Sequence, residues 1–124
     1  MIRDYYKKIE ARTSELGIIA EKAVEFREFD FDEGFMKGRI LFIDGSVLEF
    51  LEYLKGDARL KYRFHYMDDR GALVFRYDNA PHYHDVSTFP NHKHTPNKVI
   101  ASSPRELLCV IDEIEKMMSK SIWI

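Results

Sequence analysis

The run Arg39-Ile40-Leu41-Phe42-Ile43-Asp44-Gly45-Ser46-Val47-Leu48-Glu49-Phe50-Leu51 decides the fold class. Two apolar segments flank Asp44-Gly45, a dipeptide that reaches positive φ cheaply and closes tight hairpins. Two antiparallel strands are expected. Turning at Asp44-Gly45 sets Leu41, Leu48 and Phe50 on a core face and leaves Ile40, Phe42, Val47 and Leu51 on the polar one. Those four apolar side chains call for cover, from the C-terminal helix, a second copy or a partner.

Outward from this hairpin, Lys55-Gly56-Asp57 and Asp68-Asp69-Arg70-Gly71 mark further reversals between strands over Arg59 to Met67 and Ala72 to Asn79. A four-residue loop from Asp68 to Gly71 sets Met67 opposite Ala72. Tyr62 then faces Tyr77, Phe64 faces Phe75 and Tyr66 faces Leu73, while the other side pairs Arg63 with Arg76, Lys61 with Asp78 and His65 with Val74. One face is aromatic core and the other is charged. A three-residue loop at Lys55 to Asp57 sets Glu49 opposite Arg63. Upstream, Val24, Phe26 and Glu28 alternate with Glu25, Arg27 and Phe29, which predicts a strand from about Ile18 to Phe31.

Helices flank this meander. Ile2, Tyr5, Tyr6, Ile9, Thr13 and Leu16 recur at helical spacing before Gly17, predicting a helix over 1–16. Ser103-Pro104-Arg105-Glu106 supplies an N-cap, a first-turn proline and a capping-box glutamate ahead of Leu107, Leu108, Ile111, Ile114 and Met118, predicting a second helix over 104–119. The fold class is α+β: a single domain, 1–124, with an antiparallel meander of four to five strands over 18–79. Residues 80–98 carry Pro81, Pro90 and Pro96 without periodicity and read as a long histidine-rich loop.

At 124 residues, 45% apolar and 32% charged, the chain fits one globular domain. Cys109 is the only cysteine, so no disulfide forms within the chain. The net charge of −2 provides no global field for a polyanion, and any nucleic-acid contact needs a local patch. No signal peptide or membrane-length apolar run is present, and a cytoplasmic location is expected.

Four of the five histidines, His82, His84, His92 and His94, fall in the proline-bearing segment as two His-x-His pairs. Imidazole titrates near neutral pH and is a common metal ligand, so the cluster suits proton transfer or coordination. Coordination asks for three or four imidazoles, or two with a carboxylate such as Asp78 or Asp85, at about 2.1 Å from the ion. No His-Glu-x-x-His helix, EF-hand, Walker loop or Gly-x-Ser-x-Gly elbow accompanies them. No cofactor is therefore expected, and a metal site of His82, His84, His92 and His94 is the alternative. Cleavage of RNA through its own 2′-hydroxyl needs only a base, an acid and a cation. His92, Lys93, His94 and Lys98 beside Arg63, Arg76 and His65 offer these, with Glu49 as a base if it faces Arg63. The same residues also read as solvated loop histidines and a polar strand face.

Asp44-Gly45-Ser46, Tyr62 to Asp68, Asp78-Asn79-Ala80-Pro81-His82 and Thr88-Phe89-Pro90-Asn91-His92-Lys93-His94 together resemble the TumE-type proteins of prokaryotic toxin–antitoxin modules, over roughly Gly38 to Ile114. The resemblance implies a small toxin encoded beside a helix-turn-helix antitoxin and acting on RNA. By position it points to Asp78, Asn79, Pro81, His82, His92, Lys93 and His94. The chain departs from the family pattern at His82-Tyr83-His84, where adjacent histidines are frequent, and at Asn91, where a further histidine is common.

The expected function is the toxin of such a pair, acting as a metal-independent endoribonuclease. Catalytic candidates are His92, His94, Lys93, His82, Arg76, Arg63, His65 and Glu49, and substrate-binding candidates are Asp78, Asn79 and Lys98. The expected partners are the antitoxin, RNA and a second copy of the chain, with no membrane. The alternatives are a non-catalytic protein or nucleic-acid binding module and a histidine-based metal enzyme.

Overall fold

Residues 2–122, which the computed structural model describes, form helix α1 (Ile2–Glu15), seven strands and helix α2 (Leu107–Ile122). The strands are β1 (Ile19–Asp30), β2 (Glu33–Phe42), β3 (Val47–Lys55), β4 (Ala58–Met67), β5 (Leu73–Asp78), β6 (His92–His94) and β7 (Val99–Ala101). They lie side by side in chain order, each antiparallel to the next.

Side chains alternate along a strand, so one parity gathers the core. Met36, Ile40, Phe42, Leu48, Phe50, Leu54, Tyr62, Phe64, Tyr66, Phe75 and Tyr77 are all buried on one face. Both helices cover that face, α1 through Ile2, Tyr6 and Ile9, and α2 through Leu107, Val110, Ile111, Ile114 and Met118. A side chain of this size gains about 1.5–3 kcal/mol on full burial, whereas an isolated helix of 16 residues is marginal in water. Docking on the sheet therefore holds α2. The opposite face of the sheet carries no helix and presents its polar parity outward. Among the described residues no helix is long and apolar enough to cross a membrane.

The α+β class stands, with seven strands where four to five were expected. The additional pair, β6 and β7, falls in and just after the 80–98 segment that read as loop. Three residues per strand are too few to show a period, so sequence patterning misses them.

Registers differ from expectation in an instructive way. At the first hairpin the loop has three residues, Ile43-Asp44-Gly45, with Phe42 N–H donating to Ser46 O at 2.9 Å and Gly45 at φ +86°. This is a turn with a glycine bulge, and it shifts the pairing by one, setting Ile40 opposite Leu48. A shift of one reverses a face. Ile40 and Phe42 thus lie in the core and Leu41 on the open face, which removes two of the four side chains on which self-association was expected.

At the other two hairpins the shift is two residues, and the faces are preserved. Asp68 Oδ1 accepts from Arg70 N and Ala72 N at 2.9 Å each, closing the turn one residue wider, and a bulge at Tyr66/Met67 adds another step. Phe64 faces Tyr77 and Tyr66 faces Phe75 as a result, and Arg63 lies opposite Asp78 rather than Arg76. A bulge at Tyr53/Leu54 likewise sets Glu49 opposite His65 rather than Arg63. Helix α2 also begins at Leu107, later than the expected 104: Val110 N–H donates to Glu106 O at its start, and ahead of it Ser102 N–H donates to Thr88 Oγ1.

One carboxyl on the core side is shut off from solvent altogether. Glu52 is fully buried and is held by Arg59 and by the Tyr5 hydroxyl, which donates to it at 2.7 Å. Burial pushes the Glu52 carboxyl above its ordinary range, and Arg59 pulls it back. A carboxyl raised on folding favours the native state at low pH and disfavours it once ionised. Arg59→Ala should therefore cost about 3 kcal/mol at pH 7 by leaving that charge uncompensated, and the gap from wild type should narrow toward pH 5. Urea denaturation of both proteins at the two pH values checks this.

Candidate functional site

The open face acquires its chemistry from the pairing of three strands. β4, β5 and β6 set Arg63 opposite Asp78 and Asp78 opposite His92, while His65 lies opposite Arg76 and Arg76 opposite His94. Residues two apart on a strand share a face. Six candidate side chains thus form two adjacent rows, and Glu49 of β3 continues the second row beside His65.

Within this grid Asp78, His92 and His94 converge. His92 Nε2 is 2.8 Å from Asp78 Oδ1, His94 Nε2 is 3.3 Å from Asp78 Oδ2, and the two Nε2 atoms are 3.1 Å apart. His92 Nδ1 is 2.9 Å from the Pro90 carbonyl, which only accepts, so this nitrogen carries a proton. Ala80 N–H donates to Asp78 Oδ1 at 3.0 Å and fixes the carboxylate. His92 and Asp78 are buried, whereas the His94 side chain is 19% exposed. Burial and the neighbouring Arg76 and His92 hold the His94 imidazole below its ordinary value, against the pull of Asp78.

In the second row Arg76 Nε donates to His65 Nδ1 at 3.0 Å. Burial, then the Arg76 and Arg63 guanidiniums, hold His65 below its ordinary value, in keeping with a neutral ring that accepts from arginine. Arg63 is exposed and has no hydrogen-bond or ion-pair partner among the described residues. A cleft of about 270 Å³ opens here, and its walls include Lys61, Arg63, Arg76, Asp78, His82 and His94.

The segment over this cleft is ordered by short turns. Val86 N–H donates to Tyr83 O, Phe89 N–H to Val86 O and Asn91 N–H to Thr88 O. Asn91 Oδ1 accepts from the Tyr62 hydroxyl at 2.8 Å. Tyr83 lays its ring against both imidazoles, with centroids 4.8 Å from His92 and 5.3 Å from His94.

The cleft thus brings together Arg63, Arg76, Asp78, Asn79, His82, His92 and His94, with His65 joined through Arg76. Asn79 spends its amide on the scaffold, accepting from Tyr62 N–H and donating to Leu60 O. Four candidates lie elsewhere. Lys93 has the opposite parity to its histidine neighbours, and its Nζ sits over the Phe75 and Tyr77 rings and 3.5 Å from Glu113 on the core side. His84 stacks on Phe89 at 4.5 Å, and Lys98 is exposed beyond β6, where its carbonyl accepts from Thr95 N–H. Glu49 lines a neighbouring open-face cavity of about 520 Å³ with Lys37, Arg39, Leu51 and Arg63. That cavity is larger, yet it holds no imidazole. The four-histidine metal set is not assembled, and the histidines that meet do so with Asp78. Sequence reading missed Tyr83, whose place between two histidines was its only signal, and the Pro90 carbonyl, which has none.

The Pro90 contact makes a direct prediction. A long-range proton–nitrogen spectrum of the metal-free protein should show His92 protonated at Nδ1, with a slowly exchanging ring proton.

No curated protein and no solved structure matches the chain significantly. The family profile described as Toxin TumE matches residues 7–122, almost the entire length, and the chain belongs to that toxin family.

Proposed function

We propose that this toxin cleaves RNA in the cleft between β4, β5, β6 and the segment carrying His82, using the chain's own acid–base groups, and that its antitoxin is of the helix-turn-helix type. Membership in a toxin family implies an antitoxin partner; the RNA substrate is inferred from the chemistry of the cleft. The observation that carries the reading is the position of His94. It is the partly exposed member of a buried Asp–His–His array, directly across the strand pair from Arg76.

RNA carries its own nucleophile. His94 removes the 2′-hydroxyl proton, the 2′-oxygen attacks phosphorus, and the 5′-oxygen leaves with a proton from His82, an exposed imidazole on the same cleft. Arg76 and Arg63 face the doubly charged phosphorane. His92 is only 1% exposed, so it acts behind His94 by orienting it with Asp78 and does not touch the substrate. Lys93, turned toward Glu113 of α2 on the core face, has no part.

His94→Ala should slow cleavage by about 100-fold or more, the share of one proton-transfer group, while leaving the fold intact. Lys93→Ala should cleave at close to the wild-type rate. Purified toxin that, free of its antitoxin, leaves every tested RNA intact between pH 5 and 8 would refute the reading. Loss of antitoxin affinity in the same variants, without any cleavage by wild type, would establish a binding module instead.

A further inference from the structure

Asp78, His92 and His94 present an unusual excess of lone pairs. With His92 Nδ1 turned to the Pro90 carbonyl at 2.9 Å, its Nε2 faces Asp78 Oδ1 at 2.8 Å and His94 Nε2 at 3.1 Å. The second carboxylate oxygen, Oδ2, lies 3.3 Å from His94 Nε2. Acceptors this close repel unless protons or a cation lie among them.

The spacings discriminate between kinds of cation. Ligand atoms about 2.1 Å from an ion lie about 3.4 Å apart in a tetrahedron and about 3.0 Å apart on neighbouring octahedral vertices. The three contacts, 2.8, 3.1 and 3.3 Å, match one triangular face of an octahedron better than a tetrahedral site. Two imidazoles and one carboxylate on such a face select divalent transition ions over magnesium or calcium, which prefer all-oxygen shells.

The surroundings are also those of a metal site. A ligating histidine usually donates its far ring nitrogen to a backbone carbonyl or carboxylate, as His92 does to Pro90. The ligating carboxylate is itself held, by Ala80 N–H. His92 and Asp78 are buried, and the array meets the cleft through His94, which gives an ion an entry path and room for water on its open side.

We infer that Asp78, His92 and His94 form a facial binding site for one divalent transition-metal ion. His82 and His84 are outside it. The ion occupies the lone pair of His94 Nε2, so loading withdraws that group from proton transfer and slows RNA cleavage. This consequence, unlike the site itself, rests on the ribonuclease reading above.

The test uses the full chain, stripped with chelator and titrated by calorimetry with Zn²⁺, Ni²⁺ or Mn²⁺ in the absence of RNA. One ion should bind per chain with micromolar or tighter affinity for Zn²⁺ or Ni²⁺. His94→Ala, the least buried ligand change, and Asp78→Asn should each weaken binding at least 100-fold, and His84→Ala should leave it unchanged. Should Asp78→Asn fail to fold, wild-type protein loaded with Co²⁺ decides the matter. Its proton spectrum should show a hyperfine-shifted, exchangeable ring N–H from His92. Absence of saturable binding, wild-type affinity in His94→Ala, or no shifted His92 signal overturns the site. Binding by a chain that cleaves no RNA upholds the site and refutes the ribonuclease reading.

Discussion

The arrangement of the open face depends on one short antiparallel pairing, β5 with the three residues of β6. It contributes only three cross-strand pairs, Arg76 with His94, Tyr77 with Lys93 and Asp78 with His92. A slip of one residue would reverse every β6 side chain. His92 and His94 would then point at Phe75 and Tyr77, and Lys93 would enter the cleft beside Arg76. Two features oppose that slip from the core side. Lys93 Nζ finds two aromatic faces and the Glu113 carboxylate there, and Tyr77 donates its hydroxyl to the same Glu113 at 2.7 Å. A lysine turned to the core side thus keeps its histidine neighbours in register.

How far the sequence discloses this arrangement depends on the length of each period. The aromatic strand β4 carries its alternation over ten residues, and its faces survive a register error of two because parity is conserved. The first hairpin shows the opposite sensitivity. Asp44-Gly45 correctly marks a turn, but whether Ile43 belongs to the strand or the loop hangs on the backbone of Gly45 alone, and that one residue moves Ile40 and Phe42 from surface to core. For β6, His-Lys-His is too short to show a period, and neither the convergence of His92 with Asp78 nor the diversion of Lys93 is legible without the fold. Composition still pointed to the segment whose His92 and His94 meet Asp78, since histidines are sparse elsewhere in the chain.

The one-sided packing explains why chemistry collects where it does. With both helices on one face, apolar parity is consumed there, and the outer parity is free to hold charged groups without a packing cost. Two charges on the core side are paired, Glu52 with Arg59 and Tyr5, and Lys93 with Glu113. Solvated pairs such as Arg12 with Asp112 join the two helices across the surface; ion pairs of this kind are worth under about 1 kcal/mol each. They trim the docking of α1 against α2 rather than determine it.

On the open face the allocation of Asp78 governs the field. Arg63 lies directly opposite Asp78 in register, a position that ordinarily yields a cross-strand ion pair. No such pair forms, because Asp78 Oδ1 accepts from Ala80 N–H and faces His92 Nε2, and Oδ2 faces His94. Arg76 in turn spends its Nε on the neutral ring of His65, which leaves its charge uncancelled. A carboxylate directed inward to two imidazoles therefore leaves two guanidiniums unneutralised on the cleft wall. With a screening length of about 8 Å at physiological ionic strength, their field is felt at the cleft even though the chain as a whole carries a net charge of −2. A local anion-seeking surface on a weakly acidic protein follows from which partner Asp78 faces, and the β5–β6 register sets that partner.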